Sequence, residues 1–194
     1  MEITSAQLKE LRDLTGISVM QCKRALEEAG GDMDKAKIIL QKKGGEIALK
    51  KSDRELGAGA IGSYIHATGE VAALVKLSCE TDFVSKNPEF VALAKDIAMH
   101  VAAQSPLYVH RSEVTEDVLN KAKEVFGEEV KDKPADMQEK ILAGKLDAYF
   151  KDRILLEQPF IKDDSKTIGD LVNNAIQKFG ENVVISAITR MSVK

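Results

Sequence analysis

One alternating stretch near the middle of the chain constrains the fold most, because a helix start signal follows it closely. Every second residue from position 71 is apolar, the period expected of a strand with one buried face. The apolar positions are Val71, Ala73, Val75, Leu77 and Cys79. Asn87 and Pro88 then match the N-cap and the first position of a helix. Residues 80–86 are therefore predicted to be a short connector between a strand and a helix.

The connector places a carboxylate, Asp82, next to an aromatic residue, Phe83. So short a connection leaves little room to turn a large ring inward, which favours a Phe83 that projects outward. On spacing alone, however, a buried position is the commoner outcome for Phe. The residues alone therefore leave open whether Phe83 is exposed or buried.

Before this strand, the sequence predicts three short helices. Their expected N-caps are Ser5, Ser18 and Asp32, and their expected ends are Thr15–Gly16, Gly30–Gly31 and Gly44–Gly45. Residues 1–45 are thus predicted to form a small three-helix domain. The Lys-rich residues 46–57 are predicted to be a linker, which could itself be helical.

Residues 58–194 are predicted to form a second domain of class α+β. A hairpin is expected up to Cys79, with a turn at Thr68–Gly69, and a helix with an apolar stripe is expected from Pro88. Helical residues 111–150 would join this first part, 58–110, to a second part, 151–194. The second part is predicted to contain a strand at Leu155–Ile161, a helix at Ile168–Phe179 and a strand at Val183–Met191 with Val183, Ile185, Ala187 and Met191 on one face. Helices are expected to cover an antiparallel sheet.

Charge and cysteine content narrow the function. Lys and Arg number 28 against 31 Asp and Glu, and a net charge of −3 provides no broad basic field for nucleic acid. The two cysteines, Cys22 and Cys79, have neither disulfide-framework nor metal-ligand spacing, which favours a reducing compartment. No apolar run reaches about 18 residues and no export signal opens the sequence, so neither a membrane partner nor secretion is expected.

One glycine-rich run has the letters of a dinucleotide-binding fingerprint, namely residues 57–62. That fingerprint needs a strand before it and a helix after it, whereas here a Lys-rich segment precedes and a strand follows. A hinge is the favoured interpretation, and an oxidoreductase that binds NAD is the alternative. His66, His100 and His110 have no partner at metal-ligand or catalytic spacing. The residues therefore predict no enzyme, cofactor or metal site.

Four segments, in order along nearly the whole chain, resemble the signatures of the elongation factor Ts family. They are Leu11–Gly16 with Lys23–Leu26, then Cys79–Lys86, Leu155–Asp163 and Gly180–Asn182. The chain looks like a short form of this family. It departs from the usual pattern at Ser18, Gln21, Lys76, Ser78 and Ser186.

The resemblance implies a guanine-nucleotide exchange factor for elongation factor Tu, acting in the cytoplasm without a cofactor. It implies that Asp82 and Phe83, in a loop shaped by Thr81 and Val84, insert into the G domain of elongation factor Tu and dislodge Mg²⁺. It also implies a ubiquitin-associated-like fold for the N-terminal helices. Partner contacts there are expected from Arg12, Val19 and Met20.

Two further expectations concern partners. The edge of the C-terminal strand could pair with a second copy of the chain, so a homodimer is predicted. An adaptor that uses only the N-terminal helices is the alternative function, and it would give Phe83 no role.

Overall fold

The computed structural model describes residues 3–132 and 134–193. Its helices are α1 (Ser5–Thr15), α2 (Val19–Glu28), α3 (Met33–Lys51), α4 (Asp82–Ser85), α5 (Pro88–Gln104), α6 (Glu116–Val130), α7 (Ala135–Lys151) and α8 (Ile168–Phe179). Its strands are β1 (Ala58–Ile65), β2 (Val71–Cys79), β3 (Pro159–Phe160), β4 (Asp163–Thr167) and β5 (Val183–Ser192). The protein is α+β, with helices N-terminal to an antiparallel sheet, as predicted.

The main sheet has three antiparallel strands in the order β1-β2-β5. The predicted hairpin is confirmed, and Gly69 takes the left-handed conformation its turn requires, with φ 74°. Helix α5 packs on one face of this sheet, where Phe90 and Ile97 join Val75 and Leu77 in the core. The apolar stripe expected on α5 is therefore confirmed.

Strand β5 contains an irregularity that changes which side chains face the core. Lys76 of β2 lies opposite Ala187 whereas Leu77 lies opposite Ile185, so Ser186 is an extra residue. Val183 and Ile185 are buried before this bulge, but Ala187 and Met191 after it are exposed. The prediction that all four share one face was wrong, because the bulge shifts the alternation by one residue.

Helix α3 does not end at Gly44–Gly45, as the sequence predicted, but continues to Lys51. Gly44 is buried against α8, where an added Cβ would lie 3.3 Å from Oε1 of Gln177. Close helix packing thus favours a residue whose helix propensity is poor. Residues 46–51 of the predicted linker belong to this helix, and the division into two domains stays a prediction.

The helix starts were predicted with one error. Ser18 and Asp32 cap α2 and α3 as expected. Helix α1, however, is capped by Thr4 rather than Ser5, because the Thr4 hydroxyl accepts a hydrogen bond from the Gln7 amide in a capping box.

All but the first residue of the glycine-rich run lie in β1, where the glycines allow close backbone packing. An added Cβ at Gly62 would lie 2.0 Å from the carbonyl oxygen of Ala94 in α5, and one at Gly59 would lie 2.5 Å from that of Leu77. The element before the run is α3, and the run itself is strand from Ala58 onward, so it is not a hinge ahead of the strand as predicted. The strand–turn–helix arrangement of a dinucleotide site is therefore not formed by these residues.

The strand predicted at Leu155–Ile161 was wrong. Residues Leu155–Glu157 form a 3-10 helix and only Pro159–Phe160 is a strand, which pairs with β4. The apolar side chains of Leu155 and Phe160 are both buried, although no regular alternation places them. Residues 111–150, predicted to be helical, contain α6 and α7. No helix in the described part of the chain is both long and apolar enough to cross a membrane.

Candidate partner-binding site

The connector between β2 and α5 forms a sharp, ordered corner. Thr81 has an extended backbone, and α4 then makes a single helical turn before Asn87 caps α5. The Asn87 side chain accepts a hydrogen bond of 2.9 Å from the Glu89 amide, which confirms the predicted start of α5. The predicted loop is thus a short helix fixed at both ends. We call residues 80–85 the corner.

The two central side chains of the corner point in different directions. Val84 is buried in the main core, whereas Phe83 is 82% exposed. Val84 therefore anchors the turn while Phe83 projects into solvent, and the buried alternative for Phe83 is excluded. Covering an exposed Phe with a partner would contribute about 1.5–3 kcal/mol, so this side chain is suited to binding.

Asp82 lies beside Phe83 on the solvent side. Its Oδ2 accepts a hydrogen bond of 2.7 Å from Nζ of Lys86. This hydrogen bond, together with the positive charge of Lys86, lowers the pKa of Asp82. The carboxylate is thus ionised at neutral pH, and because the pair is exposed it stabilises the fold little.

Thr81 is held by a carboxylate from the far end of the sequence. The Thr81 amide donates a hydrogen bond of 3.0 Å to Oε2 of Glu181, and its hydroxyl donates one of 2.5 Å to Oε1. The Glu80 amide also donates to Oε2 of Glu181, at 3.1 Å. The Thr81 hydroxyl consequently does not cap α4, although Thr81 stands at the N-cap.

Glu80 makes the reciprocal contact. Its Oε1 accepts a hydrogen bond of 2.6 Å from the Asn182 amide, and both its oxygens accept from Nη1 of Arg54, at 3.2 and 3.1 Å. These bonds, the one from Asn182 first, lower the pKa of Glu80. Lys51 donates to the carbonyl of Gly180 from the end of α3. Three segments distant in sequence therefore meet at the corner.

Sequence reasoning did not find this arrangement. It identified Gly180–Asn182 as a motif without a role, and it placed Arg54 in the Lys-rich predicted linker. The only signal was the motif itself, since no periodicity relates residues about one hundred positions apart. In the structure this motif supports the corner.

The N-terminal residues expected to bind a partner lie on α1 and α2, away from the corner in sequence. Val19 and Met20 open α2 and both are exposed, Met20 to 61%. Arg12, near the end of α1, is also exposed. Leu14, which the sequence did not single out, is exposed beside them in sequence. Exposure of these side chains makes them available for contact.

Three further groups considered from the sequence, His100 and the two cysteines, lie in the core. His100 is fully buried, its Nε2 lies 2.9 Å from Oε1 of Gln158, and burial lowers its pKa. Cys22 and Cys79 are buried thiols whose pKa values are raised, mainly by burial. Across the described residues, no group of three or more His, Cys, Asp or Glu side chains is placed to hold a metal ion.

Comparison with known proteins gives a consistent result. A family model described as Elongation factor TS matches residues 23–194. A protein of Thermotoga petrophila named elongation factor Ts is 47% identical over 193 residues, covering 100% of this chain and 97% of the relative. Relatives of the same name from Fervidobacterium nodosum and Geotalea uraniireducens are each 48% identical over 195 residues, covering 100% of this chain and 99% and 90% of their own lengths. These full-length relatives also cover Arg12, Val19 and Met20, which precede the matched family region.

Proposed function

This chain belongs to the elongation factor Ts family, and on that premise we propose that it binds elongation factor Tu·GDP and promotes the release of GDP. It acts as a guanine-nucleotide exchange factor in translation elongation, and not as an enzyme that makes or breaks covalent bonds. Its proposed compartment is the cytoplasm, where translation takes place.

The observation that carries the proposal is the exposure of Phe83 on a turn that is held from both sides. A factor that accelerates GDP release must bind the nucleotide-free partner more tightly than the GDP-bound one, and linkage then weakens GDP binding by the same factor. A stiff apolar side chain can supply this difference if it enters a gap that opens only when GDP leaves. Such a central aromatic contact typically contributes about 2–4 kcal/mol.

In this mechanism the Asp82–Phe83 turn enters the G domain of elongation factor Tu and dislodges Mg²⁺. Phe83 is the wedge, and the ionised Asp82 is its polar neighbour. Thr81 and Val84 fix the turn from which both side chains project. Loss of Mg²⁺ removes a charge that neutralises the phosphates of GDP, so the nucleotide is held less tightly.

A second contact is proposed through the N-terminal helices. Met20 and Val19 offer an adaptable apolar surface at the start of α2, and Arg12, near the end of α1, adds a positive charge. This contact would contribute to affinity without acting on the nucleotide.

We also propose a homodimer through the C-terminal strand. Strand β5 pairs with β2 along one edge, and its other edge has no partner strand within residues 3–132 and 134–193. The uncovered face of the sheet is apolar near this strand, with exposed Met191 and Leu74. A mass of one chain, about 21.2 kDa, in solution at micromolar concentration would contradict the dimer.

Release of fluorescent GDP from elongation factor Tu tests the exchange activity. Stopped-flow traces with excess unlabelled nucleotide should show faster release when this protein is present, and an unchanged rate would refute the proposal. The Mg²⁺ step has its own test. If the protein acts by dislodging Mg²⁺, its acceleration should shrink when a chelator has already removed the ion, and an undiminished acceleration would rule out this step.

The two alternative functions have less support. The NAD-dependent oxidoreductase rested on residues 57–62, which from Ala58 onward belong to β1 rather than to a nucleotide-binding turn. The adaptor needs only residues 1–44 and leaves the exposure of Phe83 unexplained.

A further inference from the structure

The corner is attached to the turn between α8 and β5 by a reciprocal exchange of hydrogen bonds. Glu181, in that turn, receives the amides of Glu80 and Thr81 and the hydroxyl of Thr81 on its two carboxylate oxygens. Glu80 in return receives the amide of Asn182. Each segment therefore orients the other, and neither can shift without breaking bonds on both sides.

The contribution of Glu181 differs from that of Glu80. Glu80 is also held by Arg54, so several groups determine its position. Glu181 accepts all three of its hydrogen bonds from the backbone and side chain at the start of the corner. Its two side-chain oxygens reach two successive backbone amides and one hydroxyl at once, a geometry that suits Glu181 to fixing a backbone.

The fixed residue, Thr81, is the point at which α4 begins. The Ser85 amide donates to the Thr81 carbonyl at 3.2 Å, and the Lys86 amide donates to the Asp82 carbonyl at 3.1 Å. These are the bonds that close the turn carrying Phe83. An α-helix this short has little stability of its own, so its direction depends on how its first residue is held.

We infer that Glu181 is a positioning residue for Phe83: its carboxylate holds the corner in the orientation that presents the aromatic ring to the partner. The inference rests on the proposed function, because it names a residue that acts through the proposed wedge. The physical gain is preorganisation, since a side chain already fixed in its binding orientation loses less conformational freedom when it binds.

Two substitutions of the same residue separate geometry from charge. Glu181→Ala removes all three acceptor contacts and should reduce the acceleration of GDP release by roughly tenfold to a hundredfold, the range for a misplaced group. Glu181→Gln can keep the geometry, since its Oε1 can accept both amides while its Nε2 donates to the Thr81 hydroxyl. The Gln variant should therefore retain most of the acceleration, and a loss equal to that of the Ala variant would overturn the inference.

A double-mutant cycle with Phe83→Ala tests whether Glu181 acts through Phe83. If it does, Glu181→Ala should have little further effect in the Phe83→Ala background. Effects that multiply would show that the two residues act independently and would overturn the inference. Glu139→Ala, which removes an exposed glutamate on α7, serves as the matched control. It should accelerate GDP release from elongation factor Tu as much as the unaltered protein does.

Amide hydrogen exchange of the protein alone supplies a test that needs no partner. Glu181→Ala should raise the exchange rates of the Ser85 and Lys86 amides by about tenfold, because the turn opens more often, while the amides of β2 stay protected. Glu181→Gln should leave the Ser85 and Lys86 rates close to those of the unaltered protein. Unchanged rates in the Ala variant would overturn the inference. Failure of the unaltered protein to accelerate GDP release would instead count against the proposed function. The hydrogen-exchange rates would still decide whether Glu181 holds the corner.

Discussion

The corner and the segment Leu155–Phe160 both match family signatures and both contain a phenylalanine, yet they place it in opposite environments. Phe83 is 82% exposed at the corner, whereas Phe160 is 7% exposed. Around Phe83 the hydrogen bonds fix the backbone amides and the polar side chains of the corner and leave the ring exposed. Next to Phe160 the buried side chain of Gln158 forms one hydrogen bond with the buried His100 ring and donates another to the backbone carbonyl of Asp152.

This difference shows that a family motif can mark either a surface or a core. The Leu155–Phe160 segment fixes the packing between α5 and the start of α8, because the Gln158 carbonyl accepts from the Ile168 amide. The corner uses its neighbours to keep one apolar side chain out of the core. We therefore expect substitutions in the two regions to affect different measurements.

The largest expected effect on stability is that of Phe160→Ala. Truncating a buried Phe costs about 3–5 kcal/mol, from lost burial and the cavity left behind. Chemical denaturation should show this loss, while the folded fraction should still accelerate GDP release. Ile161→Ala, at a more exposed neighbour, is the control and should cost far less. A Phe160→Ala protein as stable as the unaltered one would contradict the assignment of this segment to the core.

Gln158→Ala should have the next largest effect. It removes the hydrogen-bond partner of the buried His100 ring and of the part-buried Asp152 carbonyl, and a buried polar group left unpaired costs about 1–3 kcal/mol. The free energy of unfolding is again the measurement, and GDP release by the folded protein should be unaffected. A loss of nucleotide-exchange activity without a loss of stability would contradict the claim that this segment supports the core and not the binding site.

Titration of His100 should contribute to the pH dependence of the free energy of unfolding. The Ile161 amide donates to Nδ1 at 3.4 Å, so Nε2 carries the proton donated to Gln158 and the ring is neutral. Because burial lowers the folded pKa below the ordinary value of about 6.5, the unfolded chain binds more protons between the two values. Stability should therefore fall as the pH drops below about 6.5 and level off below the folded pKa.

The control for this pH effect is His100→Gln. Whatever its overall stability, the variant should lose the part of the pH slope that titration of His100 causes. An identical slope in both proteins would show that other groups cause the pH dependence.

The sequence was informative wherever local chemistry determines structure. The N-cap at Asn87, the hairpin turn at Gly69 and the helix end at Gly180, with φ 73°, all follow from residue type. The predictions were wrong where contacts between residues distant in sequence determine the structure. Gly44 is helical because α8 packs against it, and Ala187 faces solvent because Ser186 is an extra residue in its strand.

The candidate site shows the same division. Strand and helix signals located Phe83 between two elements, but they could not decide whether it was buried. That outcome depends on Val84 entering the core and on Glu181 holding Thr81, a contact spanning one hundred positions. Neither leaves a periodic trace in the sequence.

Stopped-flow release of fluorescent GDP from elongation factor Tu, comparing the unaltered protein with Phe83→Ala, tests the central claim most directly. The loss of an interface contact of about 2–4 kcal/mol predicts an acceleration lower by roughly 30- to 700-fold. Stability of the variant should change by no more than about 0.5 kcal/mol, because the side chain is exposed. Leu107→Ala, at another exposed apolar residue, should keep full activity. A Phe83→Ala protein that is folded and accelerates release as well as the unaltered protein would contradict the claim that Phe83 is the wedge.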